Sequence, residues 1–476
     1  MCNSKLYRMP SKDSPGWPIF MGGICAAVGI LLLAFWPDIF TFVLSRQLAL
    51  SPTSHSFELW KNTTIPIYLE LTFFNWTNPE NFSNPDPNIS KPKFVELGPY
   101  VFKEHRSKKV LNWHENNGTV TFLQHRIWHY DSDLSHGSLD DVVTTLNVPA
   151  VSAAFVVRNH PRYIKKALNM AMTLLDTPFY INRKVRELAF EGYEDPLLDL
   201  AAILPEGFLP TSIPFDKFGW FYTRNNSEHY DGIFNMYTGI GNVEKFGKMG
   251  NWNYKNQTSQ YESYCGFLNG SAGEFFTPNP TKESISLFST DICRTLTLPY
   301  KKELEVDGIK AYRYWGDKNI LTNLTKNPDN WCFCPSGECP PHGAIDVSTC
   351  KWNTPAFVSF PHFYNADPSY LEAVEGMKPN SSMREMFLDL DKRTGIPLQV
   401  EASMQINVLL QSYPEFRLLK KVPKLYFPMF WFKQHAKIDD DMVFVLRLLN
   451  KIPIFANILF GSFILGGTTI LQYNYI

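Results

Sequence analysis

Six of the eight cysteines, Cys265, Cys293, Cys332, Cys334, Cys339 and Cys350, fall in one stretch of the chain. In an oxidising compartment an even set of this kind makes three disulfides, and the sequence alone does not choose the pairing. Zinc is the competing use. The C-x-C-x4-C-x10-C run lacks paired C-x2-C ligands, however, and oxidising surroundings disfavour thiolates. Cys2 is either an S-acylation site or a free thiol. Arg158, Arg162, Lys165, Lys166, Arg183, Lys184 and Arg186 form a basic concentration. It suits anionic head groups or an acidic ligand, or else it is a solvated helix face balanced by Glu187, Glu191, Glu194 and Asp195. Catalytic spacing is poor. Gly270-Ser271-Ala272-Gly273 lacks the G-x-S-x-G spacing of a nucleophile elbow, and Gly239-Ile240-Gly241 lacks the third glycine of a dinucleotide loop. His105, His114, His125, His129 and His136 are spread over hairpins and read as surface or satisfied histidines rather than metal ligands. Asp439, Asp440 and Asp441 lack calcium-loop spacing and read as a helix start. The expectation is therefore no enzyme, no cofactor and no metal.

Two apolar runs, Trp17 to Trp36 and Pro453 to Leu471, bracket everything else, and each is long enough to cross ~30 Å of hydrocarbon as a helix. Ten N-x-Ser/Thr acceptors lie between them: Asn62, Asn75, Asn81, Asn88, Asn117, Asn225, Asn256, Asn269, Asn323 and Asn380. With the cysteines, they place the intervening chain in the lumen or outside the cell. Net charge is −1, so no nucleic acid is implied as the bulk partner. The expected layout has a cytosolic tail over 1–16, a first span over 17–37, a glycosylated ectodomain over 38–452, a second span over 453–472 and a minimal cytosolic tail over 473–476. Lys5, Arg8 and Lys12 agree with this orientation, while Arg447 and Lys451 do not. An uncleaved signal anchor is preferred to a signal peptide because Phe35, Trp36 and Pro37 make a poor cleavage site. Small residues at Gly22/Ala26, Gly23/Ala27 and Ser462/Gly466 would let the spans approach each other or a second copy.

Positioning these groups falls to mixed elements. Residues 38–62 read as an exit helix and a loop. Tyr68 to Phe74 reads as a strand before a turn-rich segment over 75–92, and Thr119 to Leu123 as another, entered through Asn117-Gly118. Residues 139–203 have helical spacing and predict three or four helices, whereas 210–435 predicts short strands in an irregular antiparallel sheet. Val400 to Val408 alternates apolar and polar residues, which predicts one buried and one wet face. The cysteine-bearing segment, 265–350, is the disulfide-bonded part.

Several short motifs together carry a resemblance. Phe74-Asn75-Trp76-Thr77-Asn78-Pro79-Glu80, Glu96-Leu97-Gly98-Pro99-Tyr100, Thr238-Gly239, Trp252-Asn253, Asn269-Gly270, Ser289-Thr290-Asp291-Ile292-Cys293-Arg294 and Ser359-Phe360-Pro361-His362-Phe363 follow the order seen in class B scavenger receptors. The chain resembles that family along essentially its whole length. Through Phe190-Glu191-Gly192-Tyr193 and Phe427-Pro428-Met429-Phe430-Trp431-Phe432 it is most similar to croquemort-like insect members. The resemblance implies an α+β fold: an irregular antiparallel β-barrel with an apical helical cluster over 139–203 and an apolar tunnel, anchored by two transmembrane helices. It also implies the pairs Cys265–Cys332, Cys293–Cys350 and Cys334–Cys339. The function it implies is binding of lipoprotein, anionic phospholipid, or apoptotic or microbial surfaces at the plasma membrane, with apolar lipid passing through the tunnel. A selective sterol, carotenoid or fatty-acid importer and a lysosomal receptor are the alternatives. One departure stands out, because the apical lysines of the platelet relative have no counterpart in Leu174 to Thr177.

Overall fold

The computed structural model describes residues 16–82, 91–204, 215–317, 319–322, 326–334, 339–380 and 386–473. Contacts divide the chain into two units: Leu50–Val306 with Lys310–Ile438, and Met1–Ala49 with Asp307–Ile309 and Asp439–Ile476.

The larger unit is built on antiparallel strands. Its first half carries β1 (Ile67–Trp76), β2 (Phe94–His114), β3 (Thr119–Asp131), β4 (Val142–Leu146), β5 (Tyr180–Lys184), β6 (Tyr193–Glu194), β7 (Lys217–Phe218), β8 (Ile233–Tyr237) and β9 (Met249–Trp252). The second half carries β10 (Ser284–Ser289), β11 (Arg294–Val306), β12 (Ile309–Trp315), β13 (Ala344–Asp346), β14 (Ala356–Ser359), β15 (Phe387–Asp391), β16 (Pro397–Leu410) and β17 (Leu425–Lys437). One 13-stranded sheet runs β10-β11-β12-β15-β16-β17-β1-β2-β3-β8-β9, with β14 alongside β16 and β13 alongside β14. Its two edges are stitched together by Gly270 to Ala272. Met249 N–H of β9 donates to Gly270 O (2.8 Å), while Ser271 N–H donates to Ser286 O of β10 (2.8 Å) and its carbonyl accepts from Phe288 (2.8 Å). Backbone groups that an open edge would leave unpaired are thereby satisfied, and the sheet becomes a nearly closed barrel. Only glycine fits at 270, where φ is +77° and a Cβ would sit 2.1 Å from Ser286 O.

Three features depart from the sequence reading. The strands are not all short, since β11, β16 and β17 each span 13 or 14 residues. On β16 the polar face is not wet: Ser403, Gln405 and Asn407 are each 0 % exposed. Alternation of polarity here marks an internal hydrogen-bonded layer, in which Gln405 Nε2 donates to Asn407 Oδ1 (2.8 Å) and Asn407 Nδ2 to Ser359 Oγ (3.0 Å). Finally, the segment over 139–203 holds strands as well as helices. The β4–β5 hairpin frames α3 (Val148–Val156) and α4 (Arg162–Leu174), and α5 (Pro196–Ala202) follows. Asn147 caps α3 by accepting from Ala150 N–H (3.1 Å), and Asp195 caps α5 by accepting from Leu197 N–H (2.9 Å). Besides these, α2 (His55–Lys61) precedes the barrel and α6 (Pro368–Glu372) follows β14.

In the smaller unit, α1 (Trp17–Leu48) continues through Pro37, so the expected exit helix over 38–62 is the end of α1, a turn and α2. It packs on α7 (Asp440–Tyr473), whose start is capped by Asp439 Oδ1 accepting from Met442 N–H (2.8 Å). At ~1.5 Å per residue both helices exceed the ~30 Å hydrocarbon layer. Gly22 and Gly29 meet α7 backbone closely, since a Cβ would lie 2.9 Å from Gly467 O and Phe460 O respectively. The close-packed glycine of α7 is thus Gly467, while Gly23 and Gly466 have nothing within 4 Å. A one-residue step along a helix turns a side chain by about 100°, which moves Gly466 off the seam.

Candidate functional site

A cavity of ≈ 170 Å³ lies inside the barrel, walled by Leu69, Trp128, Met404, Ile406, Phe430 and Phe432. The loop after β7 brings Trp220 against Phe430, with ring centroids 5.0 Å apart. A second cavity of ≈ 260 Å³ lies among the helices, lined by Ala153 of α3, Ile164 and Leu168 of α4, and Leu197 and Ala201 of α5. Ser152, Phe215, Phe218, Trp352 and Thr354 line both. The two spaces therefore share a wall, where Phe215 and Trp352 meet edge to face at 5.3 Å. The second space is lined almost wholly by apolar groups and the first is apolar except at one end, so away from that end water gains little and an apolar guest loses little.

The polar end of the barrel cavity is occupied by ion pairs. Arg224 Nη1 donates to Asp291 Oδ1 (2.6 Å) and Nη2 to Asp231 Oδ1 (2.9 Å). Arg126 lies 2.9 Å from Asp231 and 3.7 Å from Glu104, and Arg106 pairs with Glu104 (2.7 Å) and Glu274 (3.2 Å). Lys108 completes the chain at 2.8 Å from Glu274. Burial works against the charge on Glu104, yet Arg106 and Arg126 hold its carboxyl below the usual range. Asp231 behaves the same way, with Arg126 and Arg224 overcoming burial. For Lys108 burial wins over Glu274, and the ammonium is pulled down to about 8. Since β2 and β3 set Arg106 opposite Arg126, the acids between them are what make that register tolerable.

A third space, a surface groove of ≈ 440 Å³, runs between α4 and the segment before β17, lined by Asn169, Thr173, Arg417, Lys420 and Lys421. Arg417 N–H donates to Asn169 Oδ1 (2.7 Å). Arg162, Lys166, Asn169 and Thr173 share one helix face by their spacing. Seven cations were expected to act together, and the structure divides them. Lys165 pairs with Glu415 (3.3 Å), Lys184 with Asp140 (3.0 Å), and Arg186 with Asp140 (2.9 Å) and Glu191 (3.4 Å). Arg158 stacks on Phe155 (3.7 Å) and Arg183 on Tyr193 (4.8 Å). Lys166 remains exposed with no partner among the described residues, while Arg162 is exposed and is, like Lys165, an electrostatic neighbour of Glu415. Arg417, Lys420 and Lys421 were missed because they lie far from α4 in sequence; their own clustering was the available signal.

Residues 20–475 match the CD36 family. The chain belongs to that family. Its relatives include Protein peste of Drosophila melanogaster, 36 % identical over 94 % of this chain and 80 % of that protein. Scavenger receptor class B member 1 of Bos taurus is 33 % identical over 89 % and 81 %. Lysosome membrane protein 2 of Homo sapiens is 29 % identical over 89 % and 86 %. These are the class B scavenger receptors that the motifs resemble, and with the two long apolar helices they make the chain a membrane protein. Three of the CD36-family motifs converge on one buried node. Glu96 Oε1 accepts from His362 Nε2 (3.0 Å) and Trp431 Nε1 (2.6 Å), while Gln405 accepts from His362 N–H (2.6 Å). Because His362 Nδ1 accepts from Lys378 N–H (3.1 Å), the ring proton belongs on Nε2. The node ties β2, β16, β17 and the turn after β14 together, which is a structural use of these residues.

The disulfides are Cys265–Cys332, Cys293–Cys350 and Cys334–Cys339, the pairs that the resemblance implies. Of the glycan acceptors, Asn62, Asn117, Asn256, Asn269 and Asn380 are exposed, whereas Asn75 and Asn225 are half-buried. Asn75 Oδ1 accepts from Thr144 N–H (2.8 Å) and Asn225 Oδ1 from Trp128 N–H (3.1 Å), so both also serve the fold. Cys2, Asn88, Asn323 and the side chain of Asn81 lie outside the described residues. Ser271 is spoken for: its hydroxyl donates to Phe275 O and accepts from Gly273 N–H (2.8 Å).

Proposed function

We propose that this protein is a scavenger receptor that docks anionic lipid surfaces on the α4 groove and takes apolar lipid into its two adjoining cavities. The observation that supports this reading is that Ser152, Phe215, Phe218, Trp352 and Thr354 line both spaces, and in this reading one apolar chain spans them. Transfer then runs on apolar area leaving water, about 25 cal/mol per Å², and needs no nucleotide. Arg162, Lys166, Arg417, Lys420 and Lys421 supply the charge that selects an anionic surface, by attraction that fades with salt. Disulfides and glycan acceptors favour a plasma-membrane layout with residues 38–452 outside and both termini cytosolic, and glycans at exposed asparagines fit such a layout. In this setting the receptor serves uptake of lipid particles and of apoptotic or microbial surfaces.

Native mass spectrometry of the detergent-solubilised full chain tests the cavity, and a bound apolar lipid at unit stoichiometry is expected. Uptake of phosphatidylserine liposomes by expressing cells tests the groove. Reversing Arg162, Lys166, Lys420 and Lys421 to Glu should reduce it at least tenfold while phosphatidylcholine liposomes are unaffected. An empty cavity in lipid-fed cells together with unchanged uptake would overturn the reading.

A further inference from the structure

Buried arginines in this barrel come with counter-charges. Arg106, Arg126 and Arg224 each face two carboxylates. Arg294, the first residue of β11, is 6 % exposed and has none among the described residues. Its Nε has no hydrogen-bond partner. The nearest compensation is Phe333, whose ring centroid lies 3.5 Å from the guanidinium carbon. Tyr261 does not neutralise it, because its hydroxyl donates to Ile292 O (3.1 Å) and approaches Asp346 O (3.3 Å).

Both members of the stack are held by the covalent framework. Arg294 follows Cys293, which is bridged to Cys350, and Phe333 follows Cys332, which is bridged to Cys265. Arg294 lines an open surface pocket of ≈ 390 Å³ with Thr295, Thr297, Asn319, Asn327 and Asn330. Asp317, the acid on that wall, is occupied locally: its oxygens accept from Asn319 N–H (2.8 Å) and Asn319 Nδ2 (2.9 Å).

We propose that Arg294 and this pocket form a binding site for a small oxyanion, a carboxylate or phosphate group. Stacking on Phe333 satisfies the flat face of the guanidinium, but its edge carries five N–H donors that a ring cannot accept. That edge matches two oxygens of one anion, the geometry that gives arginine its preference for carboxylate and phosphate. A buried charge without such a partner is costly, and burial already pulls the Arg294 guanidinium down to about 10, still protonated at neutral pH. Of the amide and hydroxyl side chains around it, Asn327 offers an NH2 group to the remaining oxygens of the guest, its Oδ1 accepting from Asp329 N–H (3.1 Å). The volume exceeds that of a bare ion, so a free anion and the head group of a short acidic lipid are two sources of the same chemistry.

The test uses the detergent-solubilised full chain at constant ionic strength in chloride. Inorganic phosphate is titrated in one arm and monomeric dihexanoylphosphatidic acid in the other, with unfolding followed by tryptophan fluorescence. A saturable rise in Tm of roughly 2–5 °C is expected. It should be lost in Arg294→Gln and only weakened in Arg294→Lys. Saturation by phosphate alone identifies a free-ion site, and tighter binding of the lipid identifies a head-group site. As a second measurement, equilibrium dialysis of radiolabelled phosphate against the unsubstituted chain should give one site. Thr297→Glu, which places a carboxylate on the pocket wall, should weaken that binding at least tenfold. No saturable response to either probe, or phosphate binding unchanged in Thr297→Glu, overturns the proposal.

Discussion

Ser152 of α3 touches both apolar cavities and is 9 % exposed, and its hydroxyl has no partner among the described residues. Replacing it separates the role of the shared wall from the stability of the fold. In Ser152→Ala an orphan buried hydroxyl disappears, which should stabilise the protein by about 1 kcal/mol and leave lipid binding intact. Ser152→Phe instead places a ring at the wall that the two spaces share. Each methylene of a guest denied burial costs about 0.8 kcal/mol, so excluding four of them costs about 3 kcal/mol. That corresponds to roughly a hundredfold loss of affinity. Overpacking should lower stability by about 1–3 kcal/mol, well short of unfolding a domain of this size. Binding of a radiolabelled sterol ester to the solubilised full chain, normalised to surface-delivered protein, reads both variants. If Ser152→Phe reaches the surface and binds the ester as tightly as the unsubstituted chain, the cavities do not act as one container and the reasoning fails.

Gly270→Ala should break the stitch that nearly closes the barrel, because its Cβ would meet Ser286 O at 2.1 Å and the residue must keep φ at +77°. A loss of at least about 2 kcal/mol is expected, measured as a lower Tm and poorer export from the endoplasmic reticulum. Glu104, Asp231 and Glu274 are held below their usual pKa values by Arg and Lys neighbours that overcome burial, and half-exposed Asp291 is lowered by Arg224 and Lys351. Their contribution to stability should be full above about pH 5 and should be lost as pH falls from about 4 through the depressed folded values. Asp231→Asn should therefore cost about 3–5 kcal/mol at pH 7, with the gap closing below pH 4 in a Tm series.

Much of the fold was legible where one residue type has one use. Six cysteines in one stretch implied three bridges, and two uncharged apolar runs implied two long helices. Where a residue's surroundings come from distant sequence, the reading failed. Glu104, Arg106 and Lys108 on β2 were not singled out by any sequence pattern; they point inward because Arg126, Asp231 and Glu274 arrive from other segments to meet them. Gln405 and Asn407 look wet for the same reason, their partners Ser359 and His362 being supplied by β14 and the turn after it. The basic concentration over 158–186 was visible, but its division into paired, stacked and free cations depends on Asp140, Tyr193 and Glu415, which no local pattern links to it.

The placement of counter-charge separates the two binding chemistries. In the barrel cavity every described arginine is matched by acids of the protein itself, so an anion entering there would have to displace a carboxylate already at 2.6–2.9 Å. The displaced acid would then be the buried, unpaired charge, and the exchange gains nothing. What the cavity can still offer is apolar wall, which favours an uncharged chain. Arg294 presents the opposite case. Its ring partner contributes no negative charge and Asp317 across the pocket bonds to Asn319 rather than to Arg294, so an incoming oxyanion breaks no ion pair there. The proposed lipid and anion sites are thus kept apart by which arginines have been given acids, and neither chemistry requires occupancy of the other.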